Sequence, residues 1–420
     1  MGRGKSTWAI NLINDNPDEN YIIVVPTLEE CTRYKDSIDR LTFEPRDSEA
    51  TDSAQTLQDR FKLLAEDNRT IITTHRMLEI LDSDSLDILK DRNYTLILDE
   101  VTCLVRPYDG IYEDDYSLLF NNNVVAEEIQ QDGVIKIILG SHPYANAVSK
   151  HKKHSAFTEA VKLGNLYRVK NAFFIQVGAT KRFRVFNQVI IMSYLFRGSI
   201  MDAWLKYHGD DYQIKSINDG VLVDYCDDGG YEFRHLVKLE QDPKLNMIGR
   251  KRNLSSSWYA KAKSDPLEEL KANTRIFFRR LGVDARYCLW TCFKSSAAVI
   301  APASYTTTAK GLSFRMAQAL KDPLEKASKF CFIPVNMRAT NNYKHKSAVA
   351  VLVNYYPHPA ILQFFQAVGV TDVDADQYAL SEMIQLVWRS RIREGKEIDL
   401  YLPSERMRGL LNDWLNVAPF

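Results

Sequence analysis

Four short apolar runs, at residues 21–25, 70–72, 94–98 and 134–139, recur through the first third of the chain, with longer amphipathic stretches between them. Strands buried on both faces have this near-continuous apolar character, and helical crossovers between such strands are what a parallel sheet demands. The stretches 28–41, 56–66 and 76–81 carry apolar residues at helical spacing. Residues 1–147 are therefore expected to form an α/β domain on a parallel sheet. The pattern weakens over 148–186, where basic residues cluster, and a connector is expected there. A second α/β domain is expected over 187–420. Its strand signals lie at 189–196, 287–293, 330–335, 348–354 and 398–402, its helices at 359–368 and 381–393. The polar stretch 218–266 reads as an insertion.

Composition limits the classes open to such a chain. Lys+Arg and Asp+Glu each number 54, so the whole is neither a basic binder nor an acidic tail, and any nucleic-acid site must be a local patch. Cys31, Cys103, Cys226, Cys288, Cys292 and Cys331 are too scattered for a disulfide framework, which points to a reducing cytoplasm. Cys288 and Cys292 lack a second ligand pair and read as packed thiols, not a zinc site. No apolar stretch approaches the ~18 residues of a membrane span, so no membrane partner is expected.

The chemistry concentrates at two places. Gly2-Arg3-Gly4-Lys5-Ser6-Thr7, ahead of a helix-like stretch, matches the end of the phosphate-binding pattern G/A-x-x-x-x-G-K-[ST]. In such a loop Gly2 and Gly4 let backbone N–H groups approach phosphate, and Lys5 reaches the β/γ-phosphates of ATP. Ser6 then binds Mg²⁺ at the helix start beside Thr7. The second place is Leu96-Ile97-Leu98-Asp99-Glu100, an apolar strand ending in two carboxylates. Asp99 is expected to share the Mg²⁺ with Ser6 and Glu100 to polarise the attacking water, because phosphoryl transfer asks a protein mainly to position groups and neutralise charge.

With these motifs in order, the chain resembles the superfamily 2 (DEAD/DEAH-like) helicases, and most nearly the helicase-like proteins of bacteriophages and prophages. Residues 24–27 resemble motif Ia, 73–76 motif Ib, 98–101 motif II and Gly140-Ser141-His142 motif III. Residues 189–196 resemble the motif IV strand, 336–343 motif V and 385–393 motif VI. The resemblance implies two RecA-like domains, ATP and Mg²⁺ as cofactors, and a nucleic-acid partner, DNA rather than RNA. It implies service in phage DNA replication or recombination, with proteins of those processes as further partners. It also implies backbone contacts by Thr27, Thr73, Thr74, Arg338, Thr340 and Asn341. Gln385 and Arg389 carry over directly from Q-x-x-G-R-x-x-R. The family's second arginine falls on Ile392, and a continuous helix over 381–395 would put Gln385, Arg389 and Arg393 on one stripe, favouring Arg393 over Arg391 as second finger. Basic–aromatic patches at 181–186 and 277–280 are further candidates for a single-strand path.

One departure shapes the expectations. The chain begins inside the phosphate loop, so the strand that feeds such a loop is expected to be missing from the first sheet, leaving residues 96–98 and 135–139 as its unpaired neighbours. Two alternatives stay open beside an active helicase or translocase. One is a truncated, catalytically weak helicase-like protein that binds nucleic acid. The other is a terminase-type packaging ATPase, which the Gln/Arg motif near the C-terminus disfavours.

Overall fold

A computed structural model describes residues 4–46, 56–101, 104–142, 155–162, 164–169, 173–178, 182–226, 229–301, 331–335 and 342–418. The chain divides into two compact units. Ser6–Ile214 and Pro357–Asp374 belong to the first, and Met1–Lys5, Lys215–Tyr356 and Ala375–Phe420 to the second.

Helix α1 (Lys5–Asp15), which enters the first unit at Ser6, is followed there by β1 (Asn20–Val25), α2 (Leu28–Ser37), α3 (Leu57–Glu66), β2 (Ile71–Thr74), α4 (His75–Ile80), α5 (Ser83–Lys90) and β3 (Tyr94–Asp99). Strand pairing is parallel, with Ile22 beside Leu96 on one side and Ile71 on the other. Alternation then sends the sheet's side chains to two covered faces. Ile22, Val24, Leu96 and Leu98 pack under Phe61, Leu64, Met77 and Leu89. Tyr21, Ile23, Val25 and Ile97 pack against Ala9, Ile10, Ile13 and Tyr34 of α1 and α2. Burial on both faces is why these strands read as unbroken apolar runs. Local caps start the helices: Thr27 and Asp82 accept backbone N–H bonds ahead of α2 and α5, and Thr56 with Asp59 forms a capping box at α3.

After β3 the chain builds a second, antiparallel sheet. Its strands β4 (Val105–Pro107), β5 (Val125–Ile129), β6 (Ile135–Leu139), β7 (Leu166–Val169) and β8 (Phe173–Val177) lie in the order β4-β8-β7-β6-β5. Helices α6 (Glu113–Asn121) and α7 (Ser155–Lys162) accompany it, and Tyr116, Ile137, Phe157, Leu166 and Phe174 form its core. The expectation of a connector over 148–186 is corrected here, since its described part holds a helix and two strands of this sheet. The chain then returns to the parallel sheet as β9 (Gln188–Met192), whose Leu96–Val189 and Leu98–Ile191 pairings complete the order β2-β1-β3-β9. Helix α8 (Ile200–Tyr207), capped by Ser199, closes this stretch.

Two further expectations fall with β9. Residues 189–192 do not open the second domain; they finish the first sheet, and the division between units comes after Ile214, not at 187. Residues 96–98 are paired on both sides, by β1 and β9, while 135–139 lies in the antiparallel sheet.

The second unit carries a hairpin of β10 (Lys215–Asn218) and β11 (Val221–Asp224), then β12 (Val237–Leu239), α9 (Pro243–Lys251), α10 (Ser256–Lys261), α11 (Ser264–Leu281), β13 (Cys288–Thr291), α12 (Ala297–Ile300) and β14 (Ala348–Val351). Helix α13 (Pro359–Ala367) belongs to the first unit, where Phe364 meets Tyr167 with ring centroids 5.5 Å apart. The chain resumes in the second unit as α14 (Ala375–Val387), β15 (Ile398–Tyr401) and α15 (Glu405–Asn416). The sheet is parallel, in the order β12-β15-β14-β13, and Leu289, Trp290, Val349, Val351, Ile398 and Leu400 are fully buried in it. Because β12 is one of its strands, 218–266 is an integral part of this unit and not an insertion. The α/β class with parallel sheets in both units is as expected. No helix among the described residues is long and apolar enough to cross a membrane.

Candidate functional site

The site lies where α1 begins and β3 ends. Gly4 has φ +76°, a left-handed conformation that suits glycine, and a Cβ there would meet nothing within 4 Å. Lys5 is the first helical residue, followed by Ser6 and Thr7. The apolar body of β3 anchors Asp99 at the strand's end, and the Ser6 hydroxyl donates to Asp99 Oδ2 across 3.0 Å. Residues 93 positions apart are thus brought together. A hydroxyl and a carboxylate are hard oxygen donors, the type Mg²⁺ takes, and an eleven-residue helix with its N-terminus beside them favours phosphate. The residues therefore fit the nucleotide and cation that the sequence implies. Among the described residues no group of three or more His, Cys, Asp and Glu side chains is placed to hold a metal.

Glu100 follows with φ +67°, and its N–H donates to Met192 O at 3.1 Å. Left-handed backbone is uncommon for a non-glycine residue and concentrates at functional turns. The neighbouring strand β9 turns in a similar way, with Leu195 at φ +50° after Ser193 and Tyr194. Gly140-Ser141-His142, which resembles motif III, ends β6 in the antiparallel sheet, with His142 N bonded to Asn123 O.

Three other side chains meet Asp99. Tyr34 donates its hydroxyl to Oδ2 at 2.7 Å, and Arg33 places a guanidinium nitrogen 3.5 Å from the same oxygen. His75 Nε2 lies 3.2 Å from the Asp99 carbonyl oxygen. Burial raises the Tyr34 pKa, as do the Asp99 charge and hydrogen bond, so the phenol stays a neutral donor. His75 lies in the segment 73–76 that resembles motif Ib, whereas Tyr34 and Arg33 carry no motif signal; α2 buries Cys31 and Tyr34, and that helical spacing is the available signal.

The expected nucleic-acid residues are only partly described. Arg338, Thr340 and Asn341 lie outside the described residues, as does Gly2. Thr27 is spent on capping α2, its Oγ1 accepting from Glu30 N. Thr73 and Thr74 line a pocket of ≈ 170 Å³ with Arg46, Arg76, Leu28 and Met77. In the patch at 181–186, Arg182 bonds the carbonyls of Leu78 and Glu79, and Arg184 bonds Asp210 and His208. In the patch at 277–280, Phe277 and Phe278 are buried and Arg280 pairs with Asp242 at 2.6 Å. These groups act as internal ties.

In the second unit the helix with Gln385 is shorter than expected. It stops at Val387, and Arg391–Glu394 forms a separate 3-10 turn ended by Gly395 at φ +71°. The single stripe through Gln385, Arg389 and Arg393 does not exist. Gln385 Nε2 donates to Ser381 Oγ at 3.0 Å, Arg389 is half-buried, Arg393 is exposed, and Arg391 Nε bonds Glu397 O. Cys288 and Cys292 are buried free thiols, as expected.

Comparison with known proteins agrees with this architecture. Over 434 aligned residues the chain is 32% identical to the SPbeta prophage-derived uncharacterized protein YonV of Bacillus subtilis (strain 168), covering 99% of this chain and 97% of that protein. This chain belongs to the YonV family. Residues 231–415 match the family model described as the YonV C-terminal Rossmann-like domain, and that match begins at the turn leading into β12. Among solved structures, Xpd4 of S. tokodaii aligns over 99% of this chain and 92% of its own, with a TM-score of 0.50 and 11% identity. That likeness shows a fold shared with Xpd4.

Proposed function

We propose that this YonV-family chain is an ATP-dependent motor on nucleic acid, a helicase or translocase serving prophage DNA replication or recombination. The observation that carries the reading is the Ser6–Asp99 hydrogen bond, which joins the end of a phosphate-loop sequence to the acidic end of β3. Ser6 and Asp99 would hold Mg²⁺, which when bound draws charge from the phosphate oxygens. Lys5 neutralises phosphate charge at the start of α1, and the backbone N–H groups of that turn bind anionic oxygen. Glu100, aimed by its left-handed backbone, orients the attacking water and accepts its proton. Thr73 and Thr74, with Arg338, Thr340 and Asn341, contact a nucleic-acid backbone without reading bases. Gln385 and Arg389 act in hydrolysis, Arg389 as a planar cation for transition-state charge.

The test measures ATP hydrolysis with and without single-stranded DNA or RNA, alongside equilibrium binding of a fluorescent ATP analogue. Lys5→Ala should weaken binding, and Glu100→Gln should abolish turnover while leaving binding intact. Equal hydrolysis by wild type and Glu100→Gln would remove Glu100 from its role. Nucleic-acid binding without turnover in any form would favour the reading as a catalytically weak binding protein.

A further inference from the structure

We infer that Tyr34 is a positioning residue for magnesium capture: its buried hydroxyl fixes the Asp99 carboxylate toward Ser6, while Arg33 lends a counter-charge that leaves when the cation arrives. This rests on the reading of Ser6 and Asp99 as the magnesium seat. Asp99 Oδ2 is approached by three donors, Ser6 at 3.0 Å, Tyr34 at 2.7 Å and Arg33 at 3.5 Å. An oxygen so occupied cannot also bind a cation without losing at least one of them. Ser6 can change role, because a hydroxyl offers lone pairs to a metal as readily as it offers its proton to a carboxylate. Arg33 can withdraw, because it is held mainly elsewhere. Its Nε lies 2.6 Å from Glu30, closer than its reach to Asp99, its side chain is 37% exposed, and its guanidinium stacks 4.7 Å over the Tyr34 ring.

Tyr34 cannot withdraw so easily. Its ring is fully buried with Ala9 and Ile13 of α1 and with Ile23 and Ile97 of the sheet, so the phenol is locked between the helix that carries Ser6 and the strand that carries Asp99. Turning the hydroxyl away would leave a buried donor unsatisfied. The hydroxyl therefore stays on the carboxylate through cation binding and keeps it from swinging off Ser6. A carboxylate oriented in advance binds a cation more tightly than one that must first be ordered.

The experiment titrates Mg²⁺ against binding of a fluorescent ATP analogue to the full chain, for wild type, Tyr34→Phe and Arg33→Ala, with melting temperature recorded for each. Tyr34→Phe keeps the ring and should raise the Mg²⁺ concentration for half-maximal binding severalfold, up to about tenfold, the cost of ordering a carboxylate that is no longer held in place, while metal-free binding is unchanged. Arg33→Ala should lower that concentration or leave it unchanged, since it removes a competitor. An unchanged Mg²⁺ midpoint in Tyr34→Phe overturns the inference, even if that variant melts earlier. Equal upward shifts in both variants overturn it too, because they would mean only a loosened α2. Wild-type binding that ignores Mg²⁺ would sink the magnesium seat itself and this inference with it.

Discussion

Lys346 offers a prediction whose size follows from the structure. It sits two residues before β14, is fully buried, and donates from Nζ to Arg286 O at 2.7 Å. Burial pushes its pKa down from an ordinary 10.5 to about 8. Cys288 is itself pushed up to about 12 by burial, so near pH 8 it is a neutral thiol and supplies no counter-charge. Between pH 8 and 10.5 the unfolded chain holds a proton at this site that the folded chain has lost. Stability therefore rises with pH across that window, and the cost of the buried ammonium is fully present below pH 8. The gap is worth roughly 3 kcal/mol, and full burial leaves no solvent screening to discount it. Lys346→Met keeps the apolar stem and removes the titration. In denaturant unfolding followed by tryptophan fluorescence, wild type should gain about 2–3 kcal/mol relative to Lys346→Met between pH 7.5 and 10. Parallel pH profiles for the two proteins would refute the argument.

Other expectations follow from single contacts. A Cβ on Gly249 in α9 would lie 1.8 Å from Pro403 O, so Gly249→Ala should cost about 1–3 kcal/mol or more by forcing helix and loop apart, seen as a fall in melting temperature. The Arg406 guanidinium bonds Asp376, Asn354 and the carbonyls of Tyr355 and Ala375. Arg406→Ala should lower stability by about 2–4 kcal/mol, and Arg406→Lys should recover only part, because an ammonium cannot match that fork. Under the proposed function Arg389→Ala should depress kcat with little change in nucleotide affinity, checked by steady-state kinetics beside equilibrium binding.

The sheets were legible to the degree that burial alone wrote them. β1, β3 and β14 are covered on both faces, and their runs of Ile, Val, Leu and Ala survive as apolar strings. Which strings share a sheet is a tertiary fact. β6 is as apolar in sequence as β9, yet it pairs antiparallel with β5 and β7 and is only half covered, while β9 crosses back over some ninety residues to lie beside β3. Nothing local separates those two cases, so an unbroken order of motifs assigned 140–142 and 189–196 to the wrong places.

The site shows the same division at the scale of side chains. Ser6 and Asp99 were legible because their chemistry depends on residue type at a loop end and a strand end. Tyr34 and Arg33 were not, since a tyrosine on an amphipathic helix signals core, and only the packing of α2 on the sheet brings its hydroxyl to the carboxylate at the end of β3. The helix expected over 381–395 failed for a reason visible in one residue. Ser390 is fully buried with extended backbone, φ −79° and ψ −175°, and its hydroxyl donates to Val387 O at 2.6 Å. A serine that satisfies the last carbonyl of a helix with its own side chain competes with the next turn. Arg391 N then pairs with Lys346 O instead of continuing the helical ladder. The three arginines of this segment therefore leave the backbone from three different environments, and the side chain that follows the helix most closely, half-buried Arg389, is the one whose loss should be felt in hydrolysis.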